Sequence, residues 1–172
     1  MNEILRCMEE RRSCRSYADR AVEQELLEAV LRAGTYAPTG RNLQSPKLVV
    51  TSDPAVIGRL RRLNAAVLGT EGDPFYGAPT VVSVLADSSV STWVEDGSLV
   101  IGNLLLAAHA VGLAGCWIHR AREVFDSPEG KELLAEWGFS EAYRGVGHCI
   151  LGYRADAIPE ARPRKQEYIR FV

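Results

Sequence analysis

The sequence predicts a mixed α and β fold in one domain, and three observations carry that prediction. Helix-like and strand-like segments alternate along the chain, with irregular lengths and long loops rather than a repeat. The 172 residues are 47% hydrophobic and 24% charged, the composition of a globular domain large enough to bury a core without disulfide or metal staples. No linker-like stretch or shift of composition divides the chain, so residues 1–172 are expected to form a single domain.

The elements follow in order. Ile4, Leu5 and Met8 fall at helical spacing and predict a helix over 2–10. Val22, Leu26, Leu27, Val30 and Leu31 make the stripe of a second helix ending near Gly34, with Pro38 beyond it. The segment from Thr39 to Pro46 reads as a polar loop, and Leu48 to Thr51 as a short strand. Asp53 followed by Pro54 is a helix start, and Ile57, Leu60, Leu63 and Val67 continue it. After the turn-rich stretch 69–74, the β-branched and apolar run Thr80 to Ala86 predicts a buried strand.

From Ser98 to Val111 nearly every side chain is apolar, so a long central helix is expected to be buried all round, in a core or between subunits. Gly112 closes it, and Gly115 to Ile118 reads as a strand. Pro128 to Trp137 reads as a helix and Val146 to Tyr153 as a last strand. The tail from Ala155 has no periodicity.

Charge and motifs narrow the function. Net charge is −2, too balanced for nucleic acid or an acidic membrane as the main partner. Its distribution is uneven: residues 73–142 hold only Arg120, Arg122 and Lys131 as basic residues, and positive charge collects at both chain ends. Guanidinium groups match phosphate oxygens in bidentate geometry. Arg11, Arg12 and Arg15 around Ser13, with Arg162, Arg164 and Lys165 in the tail, therefore read either as one phosphate site or as two solvated patches.

The pair Gly145 and Gly147 lacks the strand-to-helix context and the third glycine of a dinucleotide fingerprint. No phosphate-binding loop motif occurs, and His109, His119 and His148 have no metal-ligand spacing. A buried, hydrogen-bonded state is the expectation for His109 and His148. Cys7, Cys14, Cys116 and Cys149 form neither a disulfide framework nor a zinc pattern. With no signal-like or membrane-spanning segment in the sequence, a cytoplasmic location is expected.

Seven segments, in order along the chain, resemble the FMN-dependent nitroreductase family. They are Arg11-Arg12-Ser13-x-Arg15-x-Tyr17; Ala37-Pro38-Thr39-Gly40-Arg41-Asn42-x-Gln44; Tyr76-Gly77-Ala78-Pro79; Asp96 with Asn103-Leu104-x-Leu106-Ala107-Ala108; Gly112-Leu113-x-x-Cys116-Trp117-Ile118; Gly152-Tyr153; and Pro159-x-x-Arg162-Pro163-Arg164-Lys165.

The resemblance implies an α+β fold, with a mixed sheet flanked by helices, in a homodimer holding FMN at the subunit interface. On it, Arg11, Arg12, Ser13 and Arg15 would contact the flavin phosphate, ribityl chain or pyrimidine edge. Arg164, with Arg162 or Lys165, would return to the phosphate. Pro38, Thr39, Asn42 and Gln44 would come from the partner subunit. Cys116, Trp117 and Ile118 lead to the backbone at His119 and Arg120, which would present an N–H to flavin N5. His119-Arg120, where many members have glycine, and Ser45-Pro46-Lys47 depart from the family pattern.

The implied chemistry is electron transfer from NADH or NADPH through the flavin to a nitroaromatic, quinone or other conjugated acceptor by a ping-pong mechanism. A dehalogenase or oxidase of the same fold, a non-catalytic FMN-binding protein and, from another class, a nucleic-acid-binding module are the alternatives.

Overall fold

The computed structural model describes residues 2–172; Met1, part of the expected 1–172 domain, lies outside them. The strands β1 (Lys47–Thr51), β2 (Thr80–Asp87), β3 (Ala114–Ile118) and β4 (Tyr143–Gly152) form one sheet in the order β1, β2, β4, β3. Every pairing is antiparallel, so the α+β class holds while the expected mixed sheet is corrected. The register shows the reason. Thr51 at the end of β1 lies opposite Val81 at the start of β2, because the long return 69–79 carries the chain back to the end of the sheet it left.

The helices are α1 (Glu3–Glu10), α2 (Gln24–Thr35), α3 (Pro54–Leu68), α4 (Trp93–Ala110), α5 (Ala121–Asp126) and α6 (Pro128–Glu136). Local chemistry starts two of them: the Asn2 side chain accepts from the N–H groups of Ile4 and Leu5, and, as expected, Asp53 accepts from Ala55 N–H at 2.8 Å with Pro54 behind it. Gly112, at φ 81°, turns the chain after α4.

β2 has alternate side chains in two cores, which explains its unbroken apolar run. Val82, Val84 and Ala86 pack with Val30 of α2 and with Ile101 and Leu104 of α4. Val81 and Leu85 face the other way, among Leu60 of α3, Phe125 of α5 and Leu133 of α6.

Several boundaries differ from the sequence expectation. α4 begins at Trp93 rather than Ser98 because the polar residues there have partners inside: Asp96 is only 2% exposed. Nor is this helix enclosed all round by its own chain, since Leu99 is 49% exposed and Ala110 is also open. α5 was not expected. The last strand starts at Tyr143 and ends at Gly152. The tail 155–172 is exposed throughout and has one 3-10 turn, Gln166–Tyr168. Among the described residues no helix is long and apolar enough to cross a membrane.

Candidate functional site

The loop that follows α1 is stitched to the strand edges by its own backbone. Cys14 N–H donates to Gly115 O of β3 at 3.0 Å, Ala18 N–H to Tyr153 O at 2.8 Å, and Ala155 N–H to Ser16 O at 3.0 Å. These bonds lay Arg11, Ser13 and Arg15 beside the Cys116 thiol. Burial pushes that thiol's pKa up, while the charge of Arg15, the Ser13 hydroxyl and the charge of Arg11 act the other way.

The arginines of this loop have no carboxylate partner among the described residues. Those at 20, 59, 61, 62, 144 and 154 all have one. Arg11 Nη1 is buried without an acceptor among the described residues. Arg12 differs from its neighbours: its Nη1 donates to Glu9 O at 2.6 Å and Arg11 O at 2.7 Å, closing the end of α1, although its Nε is buried and unpartnered. Arg154 Nη2 adds a bond to Arg12 O at 3.3 Å. Arg11, Arg12 and Arg154 line a cavity of about 220 Å³ with His109 and Ile158. His109, expected to be buried, is only half-buried and makes no side-chain hydrogen bond among the described residues, because it sits at the rim of this cavity.

The second segment is a loop bent by three non-glycine residues in the left-handed region: Arg41 at φ 51°, Asn42 at φ 55° and Gln44 at φ 52°. Two devices hold it. Asp96 accepts from Gly40 N–H at 2.9 Å and from Thr92 Oγ1 at 3.1 Å. Thr39 Oγ1 accepts from Gln44 N–H at 3.1 Å, and Gln44 Nε2 donates to Asn42 Oδ1 at 3.2 Å. A Cβ on Gly40 would lie 2.3 Å from Thr92 Oγ1, so only glycine lets the loop approach α4 this closely. Pro38, Asn42 and Gln44 are exposed and Thr39 is half-buried. Among the described residues no hydrogen bond or ion pair joins this loop to the arginine loop within one chain.

β3 delivers the third segment. The side chains of Cys116 and Ile118 belong to the core and Trp117 is half-buried. Trp117 Nε1 is buried beside Gly147, without a partner among the described residues. His119 is exposed, and Arg120 takes φ 74°, a left-handed turn into α5. No hydrogen bond from the Arg120 N–H occurs among the described residues. Beneath the turn, Asn64 Nδ2 donates to His119 O at 2.9 Å, and Arg120 Nε donates to Asn64 Oδ1 at 3.2 Å. His148, hydrogen-bonded through Nδ1 to Ser83 Oγ at 2.9 Å, lies deeper still.

The tail residues stand apart. Arg164 contacts only Arg162 O, at 2.8 and 3.3 Å, and neither Arg162 nor Lys165 has a carboxylate within ion-pair distance among the described residues. One chain thus brings together the 11–15 loop and β3, and leaves the 38–44 loop and the tail facing solvent.

Sequence reasoning missed Asn64. It shares a helical stripe with Ile57 and Leu60, and a polar residue in an apolar stripe is the signal that could have found it.

Comparison with known proteins gives the family of the chain. The profile of the Nitroreductase family matches residues 8–153. A protein of Archaeoglobus fulgidus that carries the provisional name NADH dehydrogenase/NAD(P)H nitroreductase is 32% identical over 162 residues, covering 91% of this chain and 88% of its own. Among solved structures, a nitroreductase with bound FMN from Bacteroides fragilis superposes with a TM-score of 0.91 at 28% identity, covering 100% of both chains. A nitroreductase with bound FMN from Desulfitobacterium hafniense gives 0.89 at 26% identity, covering 100% of this chain and 99% of its own. The chain belongs to the nitroreductase family, and is by that membership an oxidoreductase.

Proposed function

We propose that this chain is an FMN-dependent NAD(P)H oxidoreductase that works as a cytoplasmic homodimer. The observation that carries the reading is the set of guanidinium groups beside β3 that have no carboxylate partner among the described residues, including a buried Arg11 nitrogen with no acceptor among them. A buried donor without a partner costs on the order of 1–3 kcal/mol, and an anionic ligand would satisfy it. The residues present therefore fit a flavin phosphate and its pyrimidine edge. The two solved structures with bound FMN, and the nicotinamide in the name of the Archaeoglobus relative, support the choice of cofactor and donor.

Arg11, Ser13 and Arg15 would hold the phosphate, ribityl chain or pyrimidine edge, and Arg164 with Arg162 or Lys165 would complete the phosphate contacts. Arg12 contributes mainly by fixing the end of α1. Pro38, Thr39, Asn42 and Gln44 of a second copy would cover the flavin. The exposure of Pro38, Asn42 and Gln44 and the open stripe of α4 at Leu99 support that arrangement.

When bound, FMN supplies the redox chemistry, accepting a hydride from NADH or NADPH and passing electrons through N5 to a nitroaromatic, quinone or other conjugated acceptor in alternate half-reactions. The protein's part is placement and electrostatics. Arg11 or Arg15 near the pyrimidine edge would stabilise negative charge developing there, and the Arg120 N–H, without an acceptor among the described residues, would be available to N5. Four free cysteines are in keeping with a reducing compartment.

The test is spectroscopic. Purified protein is expected to be yellow, and anaerobic NADH or NADPH to bleach the flavin band. A colourless protein that takes up no FMN overturns the reading.

A further inference from the structure

Asn64 is fully buried near the end of α3, and its side-chain amide is used at both ends on two consecutive residues. Nδ2 holds the His119 carbonyl at 2.9 Å and Oδ1 takes the Arg120 Nε at 3.2 Å. The peptide joining His119 and Arg120 is planar and trans, so its C=O and N–H point in opposite directions. Pinning the carbonyl toward α3 aims the Arg120 N–H away from α3. That N–H has no acceptor among the described residues.

The turn also needs a clamp. Arg120 stands at φ 74°, which an L-residue with a long side chain adopts at a cost that the surrounding structure must offset. α5 begins at the next residue and has no side-chain N-cap bond. The Asn64 amide is the side chain that fixes the peptide from the interior.

We infer that Asn64 is a positioning residue for the redox step: it sets the orientation of the His119–Arg120 peptide so that its N–H meets flavin N5. The inference rests on the FMN reading above and deepens it. Asn64 touches neither cofactor nor substrate, and acts through the peptide it holds. Oxidised N5 accepts a hydrogen bond, whereas reduced N5 already carries a hydrogen. A well-aimed N–H therefore favours the oxidised form, and releasing it raises the midpoint potential.

The experiment compares wild-type holoprotein with Asn64→Asp and Asn64→Ala. Asn64→Asp keeps the side-chain volume and the acceptor for Arg120 but, ionised, cannot donate to the His119 carbonyl. Each is titrated with FMN, and the midpoint potential of the bound flavin is measured at saturating FMN. A tenfold loss of preference for the oxidised flavin is expected in both variants. For a two-electron couple this is a rise of about 30 mV. A purely structural role would weaken FMN binding without moving the potential at saturation.

Folded Asn64→Asp protein with the wild-type potential overturns the inference. So does a fall in potential.

A second measurement needs no variant: hydrogen exchange of the Arg120 amide in wild-type protein, with and without FMN. Protection on FMN binding is expected, and equal exchange in both states overturns the inference. Failure of the wild type to bind FMN or to be bleached by NAD(P)H would instead bring down the functional reading itself, so the two failures are distinguishable.

Discussion

His148 shows how one side chain couples the interior to pH. It is fully buried between Phe75 and Phe125, with ring centroids 5.3 and 5.7 Å away, and its Nε2 has no partner among the described residues. Burial, assisted by the charge of Arg120, pushes its pKa down to about 3. An unfolded histidine titrates near 6.5. Below that pH the unfolded chain binds a proton that the folded chain refuses, so stability is complete above about 6.5 and falls as the pH drops toward 3. The slope is roughly 1 kcal/mol per pH unit. Urea midpoints of wild type and His148→Gln between pH 7 and 4 check this; parallel curves would show that the residue titrates normally. The same scale separates the two tail arginines. Arg164→Ala is expected to weaken FMN binding about tenfold, the worth of one charge-assisted hydrogen bond. Arg170→Ala should leave it within about twofold. Equal FMN dissociation constants in the two variants would count against the proposed placement of the tail.

At the scale of elements, the fit of α4 against the sheet depends on a glycine. A Cβ at Gly97 would lie 2.6 Å from Val146 Cγ2 on β4. Gly97→Val is therefore expected to cost about 1–3 kcal/mol through overpacking. Gly58→Ala, at a helical position with nothing within 4 Å, should gain about 0.5–1 kcal/mol. Thermal melts of the two variants should move in opposite directions. These packing facts also explain which elements the sequence discloses. α3 is announced by its Asp53-Pro54 start and β2 by its apolar run, because local chemistry and burial agree there. α5 is a six-residue helix with no period to detect, held by contact with β4. The first turn of α4 is masked by Glu95 and Asp96, because the partners of Asp96 are Thr92 beside it and Gly40 far off in the chain. The arginine loop was legible as a motif, since its residues act close together in sequence. The Asn64 contacts span 55 and 56 positions, a separation that no local pattern records.

At the scale of the molecule, apolar surface remains open on one side. Ile4, Leu5 and Met8 of α1 and Leu99 of α4 are about half exposed or more, which fits a subunit that buries them against its twin. Leu99→Asp is expected to weaken the proposed dimer about tenfold or more, an uncompensated charge in an apolar contact. FMN should be lost with it, and sedimentation equilibrium with an absorbance scan reads both. A variant that sediments as wild type and stays yellow would place the subunit contact elsewhere. The strand order has a consequence in time. β4 sits in the middle of the sheet, between β2 and β3, yet it is the last strand in the chain. During synthesis β2 must wait, one edge unpaired, until Tyr143–Gly152 leaves the ribosome. A chain arrested before that point carries a continuous apolar strand with one edge unpaired, so premature termination should yield aggregates rather than a partly active subunit.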